Sequence, residues 1–336
     1  PSPYPLPFGE RKKKRPTLSG VPAGEPILKD GSGRGGSGER DKKQKEKKHE
    51  MKISGKTKLL GIFGDPIKQT LSPYMQNAAF EALSLEYVYV AFRISPENLK
   101  NAVNSIRALD MPGVNITVPH KTRVMEFLDE IDGEAKAIGA VNTVVNRDGK
   151  LIGFNTDSRG YYLSLNQETG FDPSGKTIIV IGAGGGARAI LFSLLKKNPK
   201  KIVISNRTLE RASNLCEELG KTFPKVEFAS TGLDISRFAG ETDLLVNATS
   251  SGMMAEPDEK PVVSIDALKK SAVVSDIVFR PLDTPLIKEA LRLGLTAHKG
   301  LGMLVCQGAL AFELWTGKEP PIETMKFAGI QALEVK

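Results

Sequence analysis

From Lys58 onward apolar residues arrive in short bursts, and the spacing inside each burst decides what it becomes. The runs Lys58–Gly64, Tyr87–Ile94 and Gly113–Val118 are compact and rich in β-branched and aromatic residues, which predicts strands. Between them, Pro73–Leu83 and Pro96–Leu109 read as helices, and Lys121–Glu130 is read the same way. Strands alternating with helices of this length imply crossover units and a mainly parallel sheet. Ala140–Asn146 and Leu151–Asn155, with Arg147-Asp148-Gly149 between them, predict a hairpin that closes this first unit.

A helix from Asp157 to about Thr169 then leads into a second β/α series. Its strands are expected at Thr177–Ile181, Lys201–Ser205, Val226–Ala229, Asp243–Asn247, Ala272–Ile277 and Thr296–His298. The last helix, Met303–Thr316, is apolar along one face and is expected to cross back to the first unit.

Residues 1–50 lack this rhythm. They are rich in Pro, Gly, Ser and Lys, and such a segment cannot bury enough apolar surface to offset the entropy of ordering. A disordered basic tail is expected there, outside the functional protein, with Met51 just ahead of the first strand. The tail also explains the charge. Of the net +8, residues 1–50 contribute 13 Lys/Arg and 7 Asp/Glu, a balance of +6, leaving +2 for the rest. The nearly neutral body gives no reason to expect a nucleic-acid partner. No run of eighteen apolar residues and no signal-peptide core is present, so neither a membrane span nor export is expected, and a cytoplasmic protein is. Cys216 and Cys306, 90 residues apart with no metal-ligand spacing, are expected to be reduced, packed thiols, and no metal is expected.

Candidate chemistry sits where predicted strands end. Gly182-Ala-Gly184-Gly185-Gly-Ala187 follows a buried-type strand directly and opens a helix, the context that makes a dinucleotide fingerprint credible. Such glycines let the backbone approach a pyrophosphate, whose charge sits on the helix N-terminus. The next strand runs into Asn206-Arg207-Thr208, with Arg211 one helical turn on. An NAD site places Asp or Glu there for the ribose hydroxyls. Here two guanidinium groups flank the expected position of a 2′-phosphate, so NADP(H) is the expected cofactor. The fold class is therefore α/β with two domains. An N-terminal α/β substrate domain with a mainly parallel sheet is expected at 51–156 plus about 304–336. A Rossmann-type NADP-binding domain is expected at 157–303.

Thr70 and Ser72, then Asn115, Thr117 and Lys121, then Asn142, then Asn155 and Asp157 all fall at the ends of strand patterns in the first unit. In open α/β sheets that edge is where ligands bind. Ordinary helix capping accounts for one residue in each cluster, not for the set. His120 and His298 are expected to be structural.

The segments Gly64-Asp-Pro-Ile67, Thr70-Leu-Ser-Pro73, Asn115-Ile-Thr-Val-Pro-His-Lys121 and Ala140-Val-Asn-Thr143 can be read together with Gly153-Phe-Asn-Thr-Asp157 and Gly182-Ala-Gly-Gly185. Asn206-Arg-Thr208, Asn247-Ala-Thr-Ser250, Phe279-Arg-Pro281, Thr284-Pro-Leu286 and Gly300-Leu-Gly-Met-Leu304 with Gln307 complete the set. In this order the segments resemble the shikimate dehydrogenase family over 58–330. The resemblance implies reversible, NADPH-dependent reduction of 3-dehydroshikimate to shikimate, a step toward chorismate and the aromatic amino acids, by a monomer or homodimer. It makes Lys121 and Asp157 the catalytic pair. Thr70 and Ser72 would hold the substrate carboxylate, and Asn115, Thr117, Asn142 and Gln307 would contact ring hydroxyls or the carboxylate. Thr249 and Gly300 would join the cofactor site. The chemistry of the residues agrees: hydride arriving at a carbonyl leaves an alkoxide, which a positioned ammonium stabilises and protonates. Two positions depart from the family pattern, Thr70 in place of a serine and Phe279 in place of a tyrosine. A quinate or quinate/shikimate dehydrogenase is the nearest alternative activity, and a non-catalytic ligand sensor is an alternative of another class.

Overall fold

Two six-stranded sheets, joined through two helices that touch each other, organise the chain. The structure is a computed structural model and describes residues 53–253, 256 and 259–334; the basic tail at 1–50 lies outside them. The first sheet is built from β1 (Lys58–Gly64), α1 (Ser72–Ala82), β2 (Tyr87–Arg93), α2 (Leu99–Ala108) and β3 (Gly113–Ile116). It is completed by β4 (Glu130–Ile131), α3 (Gly133–Ile138), β5 (Thr143–Arg147) and β6 (Lys150–Phe154). The strand order is β2-β1-β3-β5-β6-β4, with β5 antiparallel to both neighbours and the other pairs parallel. The β5–β6 hairpin turns on Asp148 and Gly149, both at positive φ (52° and 85°), as a two-residue turn requires.

Two expectations fail here, for tertiary reasons. Lys121–Glu130 is not an α-helix but a single 3-10 turn, Arg123–Phe127, followed by β4. Asp129 pairs with Leu151 both ways: its N–H donates to the Leu151 carbonyl (3.1 Å) and its carboxylate accepts from the Leu151 N–H (2.7 Å). Sheet pairing thus draws this segment out of helix. Strand β3 ends at Ile116, two residues short of Val118. Pro119 has no N–H to extend the ladder, and the His120 N–H turns back onto the Thr117 carbonyl (2.9 Å).

The second sheet follows α4 (Thr156–Thr169). It comprises β7 (Thr177–Ile181), α5 (Gly185–Leu195), β8 (Lys201–Ser205), α6 (Leu209–Thr222), β9 (Glu227–Thr231) and α7 (Ser236–Ala239). Then come β10 (Leu244–Asn247), β11 (Val273–Asp276), α8 (Pro285–Arg292) and β12 (Thr296–His298). Every pair is parallel in the order β12-β11-β10-β7-β8-β9, the doubly wound arrangement, whose strand order reverses between β10 and β7.

Finally α9 (Gly300–Thr316) and α10 (Ile322–Glu334) return to the first sheet. Val305, Phe312 and Met325 join Leu60, Met75 and Phe80 in its core, with Phe80 and Phe312 stacked at 5.3 Å. Met303 instead enters the second core beside Tyr161 and Leu191. Because α9 runs between two cores, it is buried nearly all round rather than along one face. Helix α10 is not anticipated by the sequence reading. At the crossing of α4 and α9, a Cβ on Gly160 would lie 2.7 Å from the Gln307 backbone nitrogen, so only glycine allows the helices to close this far. No helix among the described residues is long and apolar enough to cross a membrane.

Candidate active site

The ends of β1, β3 and β6 and the start of β5 share one edge of the first sheet, and the polar side chains there form a connected network. Lys121, beyond β3, places its Nζ 2.7 Å from Asp157 Oδ2 at the start of α4. The lysine side chain is 20% exposed and the aspartate 7%, so the pair is shielded yet reachable. An aspartate here could be doing no more than capping the helix. It is not: Asn155 caps α4, its Oδ1 accepting from the Ser158 N–H (3.1 Å) while its amide donates to the Ala140 carbonyl (2.9 Å). Asp157 is thereby left for Lys121 and for Asn142, whose Nδ2 donates to Asp157 Oδ1 (2.9 Å) and Thr156 Oγ1 (2.9 Å). The Asn142 amide is held the right way round because its Oδ1 accepts from the Thr156 N–H (2.7 Å). Gln307, on α9, comes within 3.4 Å of the same Nδ2.

The other half of the edge runs from Thr70 to Asn115. Thr70 Oγ1 lies 3.2 Å from Ser72 Oγ and also accepts from the Ser72 N–H (3.3 Å). The N-cap residue of α1, Leu71, makes no side-chain cap bond, and the Thr70 hydroxyl instead meets the first N–H of the helix. Asn115 donates to the Asn142 carbonyl (3.1 Å) and to Thr143 Oγ1 (3.0 Å), which binds both amide hydrogens within the protein. Thr117, just past β3, sets its methyl group against Gly64, where a Cβ would collide with it.

Tyr89 ties these groups together and is absent from the expected set. From the middle of β2 its hydroxyl donates to Asn115 Oδ1 (2.6 Å) and also hydrogen-bonds Ser72. Burial pushes the phenol well above its usual range, against the pull of the Ser72 bond, so it stays neutral. Its backbone is clamped to α1 from both sides, since Asn77 donates to its carbonyl (2.9 Å) and accepts from its N–H (2.8 Å). The sequence offers no signal for this role beyond a tyrosine in an apolar strand.

The second site is built from backbone. Gly182 follows β7 at φ +114°, a conformation that L side chains rarely adopt, and a Cβ there would meet Thr249 Cγ2 at 3.0 Å. Gly184 caps α5 without a side-chain bond, and open space stands where Cβ atoms on Gly184 and Gly185 would be. The first-turn N–H groups of an eleven-residue helix thus face an uncrowded cradle suited to a pyrophosphate. Ala187, two residues after Gly185, is buried. At the tip of β8, Asn206 Nδ2 donates to the Thr208 carbonyl (2.8 Å), while Arg207, Thr208 and Arg211 are exposed; the tip itself, Asn206–Thr208, carries no acid, and Glu210 follows in the first turn of α6. That donor set fits a dinucleotide bearing a 2′-phosphate. Gly300 starts α9 against the Ile277 carbonyl, too close for any Cβ.

The two buried histidines are structural in position. His120 Nε2 meets the Ile94 carbonyl at 2.7 Å. His298 joins Ser164 of α4 (2.7 Å) to Ser275 of β11 (2.8 Å), and burial pushes it down to about 4. The Cys306 thiol is buried and that of Cys216 half-buried, and desolvation raises both to about 11.

Three family models match successive stretches of the chain. They are a shikimate dehydrogenase substrate binding domain at 62–144, a shikimate/quinate 5-dehydrogenase at 165–281 and a shikimate 5′-dehydrogenase C-terminal domain at 300–326. The chain is 46% identical over 286 residues to the shikimate dehydrogenase (NADP(+)) of Methanopyrus kandleri, covering 84% of this chain and 98% of that one. A crystal structure of shikimate dehydrogenase in complex with NADP+ is similar at a TM-score of 0.78 and 44% identity, covering 83% of this chain and 97% of that one. A 5-ketofructose reductase of a Gluconobacter strain is similar at 0.76 and 34% identity, covering 84% and 99%.

Proposed function

The chain belongs to the shikimate dehydrogenase family, and on that footing we propose that it interconverts 3-dehydroshikimate and shikimate with NADP(H). The single observation that carries the catalytic assignment is the Lys121–Asp157 pair, with Asp157 relieved of capping by Asn155 and held by Asn142. Thr70 and Ser72 hold the substrate carboxylate through their hydroxyls, near the start of α1. Asn142, Gln307, Asn115 and Thr117 border the ring, and Lys121 faces the reacting oxygen.

When bound at the Gly182 turn, NADPH supplies the hydride. As charge develops on the carbonyl oxygen, the Lys121 ammonium stabilises it and delivers a proton, and Asp157 keeps the amine in place. In the reverse direction the same pair takes the proton from the substrate hydroxyl. Gly182, Gly184, Gly185 and Ala187 shape the pyrophosphate cradle; Asn206, Arg207, Thr208 and Arg211 hold the 2′-phosphate end; Thr249 and Gly300 close its flanks.

Phe279, half-buried against the first core, brings a ring without a hydroxyl to this region, so substrate choice is the property to measure. Steady-state oxidation of shikimate and of quinate, each with NADP+ and NAD+, tests the reading. The highest kcat/KM is expected for shikimate with NADP+. Faster turnover of quinate with NAD+ would overturn it.

A further inference from the structure

One buried acid in the second lobe has no part in the chemistry above. Asp276 ends β11 and is 1% exposed. Its Oδ1 accepts from Asn247 Nδ2 (3.0 Å) and from the Val278 N–H (2.9 Å), and its Oδ2 accepts from Thr284 Oγ1 (2.7 Å). Three neutral donors surround it. Burial pushes its carboxyl up to about 6, against the pull of those bonds. Because the folded value lies above the unfolded one, the ionised carboxylate costs stability at neutral pH, and that cost fades as the pH falls through about 6. A charge kept at a cost to the fold is a candidate for function.

Its work is done one residue away. Asn247 ends β10 with its amide fixed in one sense: Nδ2 donates to Asp276 and to the Ser251 carbonyl (3.1 Å), while Oδ1 accepts from Thr249 N–H (3.1 Å) and Thr249 Oγ1 (2.7 Å). Turned over, the amide would set its oxygen against the carboxylate and its hydrogens against the Thr249 donors. Asp276 therefore joins the Ser251 carbonyl and the Thr249 donors in deciding which way Asn247 points. Thr249 Oγ1 in turn accepts from the Ser251 N–H (3.1 Å), and its methyl group walls the Gly182 turn. The neighbour of Asp276, Ile277, reaches Gly186 in the first turn of α5.

We infer that Asp276 is a positioning residue for the dinucleotide, orienting Asn247 and through it holding the Thr249 segment against the Gly182 turn. The inference rests on the NADP(H) site proposed above. Protonation of Asp276 adds a donor to a pocket already furnished with the Asn247 and Val278 donors, and only Thr284 can turn to accept it. Of the charged groups nearby, Lys260 lines the same small cavity. His298, on β12, is bonded to Ser275, whose side chain points to the opposite face of β11. The residues that α8 presents to the cavity, Pro285 and Leu286, carry no charge.

The test is direct titration with NADPH, without turnover, of the unmodified protein and of Asp276→Asn, with thermal midpoints recorded alongside. Near neutral pH the variant is expected to bind NADPH about fivefold more weakly, as when one hydrogen-bonded orientation is lost. Its midpoint should be unchanged or higher, since a costly charge is gone. The ratio of the two dissociation constants should shrink toward one as the pH falls through about 6. Taking the ratio cancels the titration of the nucleotide's own phosphate. Equal affinities, or a weaker affinity with a lower midpoint and a flat ratio, would overturn the inference. Should Asp276→Asn fail to fold, the Thr249 amide resonance of the unmodified protein serves instead. It is expected to shift through the same pH range, and a constant position would overturn the inference. Failure of the unmodified protein to bind NADPH at any pH would sink the cofactor reading alone, since the Thr249 resonance reports the local coupling independently.

Discussion

Around Lys121 the polar side chains bind one another across great sequence distances, with Asn142 alone touching Thr156, Asp157 and Gln307. Around Gly182 the backbone sets the shape, glycines leave space, and the arginines nearest the β8 tip stand in solvent. One region is preorganised by side-chain wiring and is expensive to alter. The other is preorganised by chain geometry and is cheap to alter at its rim. Changes in the first should therefore disturb chemistry or fold, and changes at the rim of the second should disturb only cofactor choice.

The largest effect should come from Lys121→Ala. Loss of proton delivery is expected to lower kcat by about 10²–10⁴-fold, with the NADPH dissociation constant unmoved. Concurrent loss of NADPH binding would break the separation between the regions.

The boundary between them is probed by His298, which joins α4 to β11. Its folded value of about 4 lies below its ordinary 6.5, so the stability it contributes is complete above about 6.5 and is lost as the pH falls toward 4. At about 1.4 kcal/mol per unit this amounts to roughly 3 kcal/mol, readable as a falling thermal midpoint. An unchanged midpoint over that window would refute a neutral, doubly bonded imidazole.

At the rim, Arg207→Ala combined with Arg211→Ala should weaken NADPH about tenfold through lost charge-assisted hydrogen bonds. NADH binding and the thermal midpoint should be unaffected. A drop in the midpoint would show the rim to be structural after all.

The smallest effect is expected for Tyr89→Phe, which strands Asn115 Oδ1 and removes a partner of Ser72. A stability loss of about 1 kcal/mol is expected. KM for shikimate should rise while kcat holds, because in the proposed reading Ser72 and Asn115 bind substrate rather than transfer its proton.

The same division explains what could be read in advance. The Gly182 turn and the β8 tip are contiguous in sequence, and fully buried parallel strands such as β7 and β8 read as unbroken apolar runs. The first site was visible only as a coincidence of polar residues at strand ends, and its internal logic was not. That Asn155 rather than Asp157 caps α4 depends on a turn conformation no spacing encodes. Tyr89 looked like one more strand aromatic, because its partners lie on α1 and β3 rather than beside it in sequence. The segment after Lys121 defeats a local reading because its pairing partner, Leu151, lies outside any local window.

The return of α9 and α10 to the first sheet has a temporal side. Domains generally fold as units while the chain is synthesised, N-terminal first. Here the first sheet emerges early but lacks Phe312 and Met325, the covers of Phe80 and Met75. At about 5–20 residues per second, the second sheet and both closing helices take roughly 10–35 s to follow. For that interval the contiguous second lobe has all its strands available first, and the lobe that begins the chain is the last to be completed.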